Sequence, residues 1–68
     1  MNIRQILSRV EALIREHHYA RARAKLQQAY LLLKEDREDG RLDRSEVRWY
    51  NELLERLRRA SRLMGKNN

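Results

Sequence analysis

The stretch YARARAKLQQAYLLL, residues 19–33, decides the fold. At about 100° of rotation per residue, Tyr19, Ala22, Leu26, Ala29, Tyr30 and Leu33 line one stripe of a helix, while Ala20, Ala24 and Leu31 form a second stripe well round it. A helix apolar on two sides has neighbours on two sides. This segment is therefore read as the central helix, running over about 18–35.

Upstream, Ile3, Ile6, Leu7, Val10, Leu13 and Ile14 recur at 3,4 spacing with Arg4, Ser8, Glu11 and Arg15 opposite, an amphipathic helix over about 3–16 with Asn2 as its N-cap. An unbroken helix through His17 and His18 would bring the Tyr19 stripe out roughly 160° away from the Ile3 stripe. That mismatch predicts a break near 16–18, although neither Gly nor Pro marks it. The alternative is one continuous helix, giving a long two-helix hairpin that pairs into a dimeric four-helix bundle.

Downstream, EDREDGRLD is a charged connection, an acidic loop over 36–43 with Gly40 free to take a positive φ. Asp43, with Glu46 three residues on, reads as a capping-box-like start to a third helix over 44–64. Val47, Tyr50, Leu53, Leu54, Leu57, Ala60 and Met64 form its broad apolar face, with Trp49 at the margin. Glu52 before Arg56 and Glu55 before Arg59 are favourable i,i+4 pairs. The expected fold is all-α, a three-helix bundle of 68 residues in a single small domain.

So short a chain supplies a core of only about 3–5 kcal/mol. There is no cysteine for a disulfide, and two histidines make a structural zinc site improbable. Self-association is the remaining remedy, so a homodimer is expected. No apolar run approaches the length of a membrane span, and Arg4, Arg9 and Glu11 interrupt the N-terminal segment where a signal peptide needs an apolar core. These features, with the lack of cysteine, lead us to expect a cytoplasmic protein without membrane contact.

At Tyr19 the order aromatic, small, large, small, large (Tyr19, Ala22, Leu26, Ala29, Tyr30) resembles the second helix of a tetratricopeptide repeat, and 3–35 has the length of one such unit. The first helix departs from that pattern, with Ile6, Arg9 and Val10 at its marker positions. The resemblance implies an antiparallel helical hairpin, small residues at the close approach, the last helix as a cap, and a peptide- or protein-binding function.

Catalytic chemistry has little to stand on. No Ser, His and Asp arrangement, phosphate-cradling glycine loop or pair of shielded carboxylates can be picked out, so neither an enzyme nor a cofactor is expected. Adjacent His17 and His18 point about 100° apart and do not chelate one metal from a helix. Aligning Gly40 with the glycine of a calcium-binding EF-hand loop places Arg37 at a ligand position, which opposes a cation.

The net charge of +6 divides as +5 over 1–34, −3 over 35–46 and +4 over 47–68, and thirteen of the sixteen basic residues are arginine. Two functions follow as expectations. One is a protein-interaction or regulatory module contacting its partner through Ala20, Ala24, Leu31 and the aromatic Trp49. The alternative is a nucleic-acid-binding accessory protein using Arg21, Arg23, Lys25, Arg48, Arg58, Arg59 and Arg62.

Overall fold

The computed structural model describes residues 2–65, with side chains through 62, and Met64 and the tail lie outside those side chains. Three helices follow one another: α1 (Ile3–Arg15), α2 (Tyr19–Glu38) and α3 (Arg44–Gly65). Among the described residues there is no strand, and no helix is long and apolar enough to cross a membrane.

The start of α1 is fixed by a reciprocal capping box. Asn2 Oδ1 accepts from the Gln5 N–H at 3.0 Å, and Gln5 Oε1 accepts from the Asn2 N–H at 3.4 Å. Its end explains how a segment without Gly or Pro breaks at the predicted place. Glu16 caps α1 and His17 follows with φ +63°, the left-handed conformation usually left to glycine. The His17 N–H then donates to the Ile14 carbonyl at 3.0 Å and the His18 N–H to the Leu13 carbonyl at 2.8 Å, the paired bonds of a Schellman motif. The His17 ring sits edge-on to Tyr19, its Nδ1 2.7 Å from the Tyr19 hydroxyl. The continuous helix, and with it the two-helix hairpin, is not formed.

A left-handed residue with a Cβ costs roughly 1–2 kcal/mol, part of which glycine returns as unfolded-state entropy. His17→Gly is therefore expected to stabilise the protein by about 0.5–1 kcal/mol, a gain of several degrees in thermal midpoint. A lower midpoint by circular dichroism would show that the contact with Tyr19 outweighs the backbone cost.

The same motif ends α2, three residues later than the charge pattern suggests. Gly40 takes φ +72°, its N–H donates to the Arg37 carbonyl at 3.2 Å, and the Arg41 N–H donates to the Asp36 carbonyl at 2.8 Å. Glu35, Asp36, Arg37 and Glu38 are all acceptable helix residues, so the helix runs on until glycine offers an exit. The connection is thus 39–43 and not 36–43.

At α3 the expected capping pair is divided. Asp43 does cap: its Oδ1 accepts from the Ser45 N–H at 2.8 Å and from the Ser45 hydroxyl at 2.6 Å. Glu46 does not reach back but binds Arg4 on α1, Nε to Oε2 3.2 Å, while Arg4 Nη2 meets Asp43 Oδ2 at 3.1 Å. The Ser45 hydroxyl and N–H, then Arg4, hold the Asp43 carboxyl below its ordinary value of 3.8. A depressed folded-state pKa means stability present above the unfolded value, near 4, and lost as pH falls through the folded one. Thermal midpoints between pH 5 and pH 2 are therefore expected to fall more steeply for the native chain than for Asp43→Asn, which caps without titrating. Parallel curves would show that the cap contributes nothing through its charge.

The helices pack up, down, up. Arg23 meets Ser61 and Tyr30 meets Tyr50, so α2 and α3 are antiparallel. Arg4 meets Asp43 and Glu46, while Glu11 meets Trp49 and Arg56, so α1 and α3 are parallel. One apolar core results, from Ile3, Ile6, Leu7, Val10 and Leu13 of α1, Ala22, Leu26, Ala29 and Leu33 of α2, and Leu53 and Leu57 of α3. The most extensive helix contact is α1 with α2, and Ala22 and Ala29 of α2 are fully buried. Small side chains allow helices to approach closely.

Candidate functional site: an apolar groove between α2 and α3

The buried interior is entirely apolar among the described residues, so any polar contact with a ligand is made at the surface. A groove runs along the seam of α2 and α3, in two halves that share Tyr50. One half, of about 330 Å³, has Leu26, Leu54 and Leu57 as its floor and Arg23, Arg58 and Arg62 at its rim. The other, of about 230 Å³, is lined by Leu33, Leu42 and Val47, with Lys34 and Arg37 at the rim.

The helices position these groups by simple periodicity. Val47, Tyr50, Leu54 and Leu57 recur at 3,4 spacing beside Leu53, an apolar face wider than one neighbour covers. Leu53 and Leu57 go to the core, whereas Tyr50 and Leu54 are only half-buried. Across the seam, Tyr30 is 45 % exposed, its ring 6.1 Å from that of Tyr50 at 38°. Partial burial, with Tyr30 nearby and Arg58 opposing, raises the Tyr50 hydroxyl above its ordinary 10.0, so it stays protonated. At the open end Arg23 Nη2 donates to Ser61 Oγ at 2.6 Å, tying the start of α2 to the end of α3.

Part of this site is legible in the sequence and part is not. Tyr30, assigned by spacing to the core stripe, stands at the groove edge. Spacing and charge do not mark Lys34, Arg37, Leu42, Tyr50 or Leu54 as site residues. The excess width of the α3 apolar face is the sequence signal for Tyr50 and Leu54 alone. The second stripe of α2 is not covered by α3: Ala20, Ala24 and Leu31 are all exposed, Leu31 at 53 %. Trp49, expected at a partner interface, packs on the core instead, and its Nε1 donates to Glu11 Oε1 at 3.3 Å. The indole is engaged within the chain because Glu11 lies opposite it on α1.

The seven basic residues considered for nucleic acid do not share one face. Arg23, Arg58 and Arg62 line the α2–α3 groove. Arg21 and Lys25 lie with Arg9 in a shallow opening between α1 and α2. Arg59 pairs with Glu55 at 3.8 Å, the expected i,i+4 bridge, and Arg48 is exposed. Arg56, expected to pair with Glu52, instead faces Glu11 at 3.9 Å.

Comparison with known proteins adds no identity, since no family model, curated protein or solved structure matches this chain.

Proposed function

We propose that this protein is a small helical interaction module that binds another protein through the α2–α3 groove. The observation that carries the reading is the apolar and aromatic strip along that groove that the three helices leave only partly covered: Tyr50 and Leu54 are half-buried, and Tyr30 and Leu42 are exposed. Leu54, Tyr50 and Tyr30 form a contiguous apolar and aromatic surface at the seam, the kind of surface that anchors an interface.

Two features weigh against the other readings. A phosphate backbone is tracked by cations on one continuous surface, whereas these arginines are divided between separate faces. Symmetric pairing of two grooves would set each basic rim against its own copy, because an isologous contact brings like surfaces together. A homodimer is better served by the exposed Ala20, Ala24 and Leu31 strip.

The test is affinity capture from the native host by the intact protein, by Tyr30→Ala combined with Leu42→Ala, and by Ala24→Leu outside the groove. The proposed function expects a protein that the native chain and Ala24→Leu retain and the double variant loses. Recovery of nucleic acid alone, or of the same proteins by all three, would overturn it.

A further inference from the structure

We infer that the occupant of the groove is an acidic amphipathic helix of about four turns, an inference that rests on the groove being the interaction surface. Charge carries it. Five cations, Arg23, Lys34, Arg37, Arg58 and Arg62, stand at the two rims, and among the described residues no acidic side chain lines either half of the groove. All five are exposed, and among the described residues none is ion-paired, whereas Arg4, Arg15, Arg41, Arg56 and Arg59 each meet a carboxylate elsewhere. The nearby acid of α3, Glu55, is turned to Arg59. Unpaired cations on both sides of an apolar floor complement one pattern in particular: an apolar stripe flanked by carboxylates.

Shape selects the helix. The seam between two antiparallel helices accepts a further helix by ridge-into-groove packing, which would complete a four-helix bundle. Among the described residues no strand edge is available for an added strand. From Arg23 to Arg37 the rim of α2 runs about 21 Å at 1.5 Å per residue, the length of a helix of roughly fourteen residues. The occupant therefore presents leucine-like anchors at i, i+3 or i+4, i+7 and i+11 to the floor, with Glu or Asp beside them. A nucleic acid would satisfy the rims but leave Leu54, Tyr50 and Tyr30 under a polar backbone.

The experiment titrates the isotopically labelled full chain with three synthetic sixteen-residue helical peptides sharing one leucine pattern and flanked by Glu, Gln or Lys, and with a duplex oligonucleotide. Amide shifts report the site, and Arg58→Glu with Arg62→Glu, both exposed, serves as the groove variant. The Glu peptide is expected to shift residues 23–37 and 47–62 and to bind at least about tenfold tighter than the Lys peptide, with that order reduced or reversed in the variant. Equal binding of the Glu and Gln peptides in the groove would overturn the acidic partner while leaving the interaction surface intact. Absence of any groove shift with all three peptides would overturn both. Oligonucleotide binding that displaces the Glu peptide at physiological salt would assign the rims to phosphate and overturn the inference. A circular dichroism spectrum of the variant, expected to match the native one, shows that loss of binding is not loss of fold.

Discussion

Leu7→Ala is expected to leave the protein largely unfolded at 37 °C. Leu7 is fully buried, and with Leu53 and Val10 it is one of the largest fully buried side chains among the described residues. Truncating such a leucine removes its transfer free energy and leaves a cavity, together about 2–5 kcal/mol. A chain of this size has a core worth only about 3–5 kcal/mol, so the loss is comparable with the whole stability. Urea titration followed by helical circular dichroism checks it: the native chain gives a cooperative transition, and Leu7→Ala gives little helix at zero denaturant. Leu31→Ala, the same change at an exposed position, is expected to move stability by no more than about 0.5 kcal/mol. A folded Leu7→Ala with a midpoint near the native one would mean that the helices close over the gap or that association supplies the missing stability.

The second large effect is expected at Ala29. Ala22 and Ala29 are fully buried in the core on α2, where a close-packed interior leaves little room for a larger side chain. Ala29→Leu inserts three carbons there and is expected to cost about 1–3 kcal/mol or more, by overpacking the core and forcing its helices to shift. Ala24→Leu, on the same helix but exposed, is expected to lie within about 0.5 kcal/mol of the native chain. The comparison isolates packing from helix propensity, since both changes replace alanine with leucine in one helix. Equal thermal midpoints for the two variants would show that the core around Ala29 is not closely packed.

Leu7 and Ala29 also show why the fold is legible in the chain. Each lies on a stripe of 3,4 spacing, and that spacing alone marks it as inward-facing. The three helices, their order and the break at 16–18 follow from the same periodicity, because the Ile3 and Tyr19 stripes do not share a face. The cause of the break is not legible. A histidine in the left-handed region leaves no compositional mark, since its cost is met by Schellman bonds that form only once the helix end exists. The end of α2 is misplaced by sequence for a related reason: charge suggests a loop after Glu35, but carboxylates and guanidinium groups do not stop a helix, and Gly40 does.

The candidate site is legible only in fragments. Arg23, Arg58 and Arg62 stand out as basic residues, yet residues 38 positions apart become neighbours only when α2 and α3 run antiparallel, as the Arg23–Ser61 bond shows. Trp49 looks like a free anchor in the sequence because its partner, Glu11, is on another helix.

The stretch at 19–33 determined by itself that α2 is a helix, that Ala22, Leu26, Ala29 and Leu33 face inward, and that the chain has neighbours to pack against it. Helical periodicity is a local property, written into the spacing of apolar residues. Tertiary structure alone decided that α3 packs beside the first stripe and leaves the second open, and that Tyr30 and Tyr50 meet across a groove with unpaired cations along its rims. The physical reason is that a contact between helices depends on where their axes lie, and axis placement is set by the summed packing of all three faces, not by any one of them.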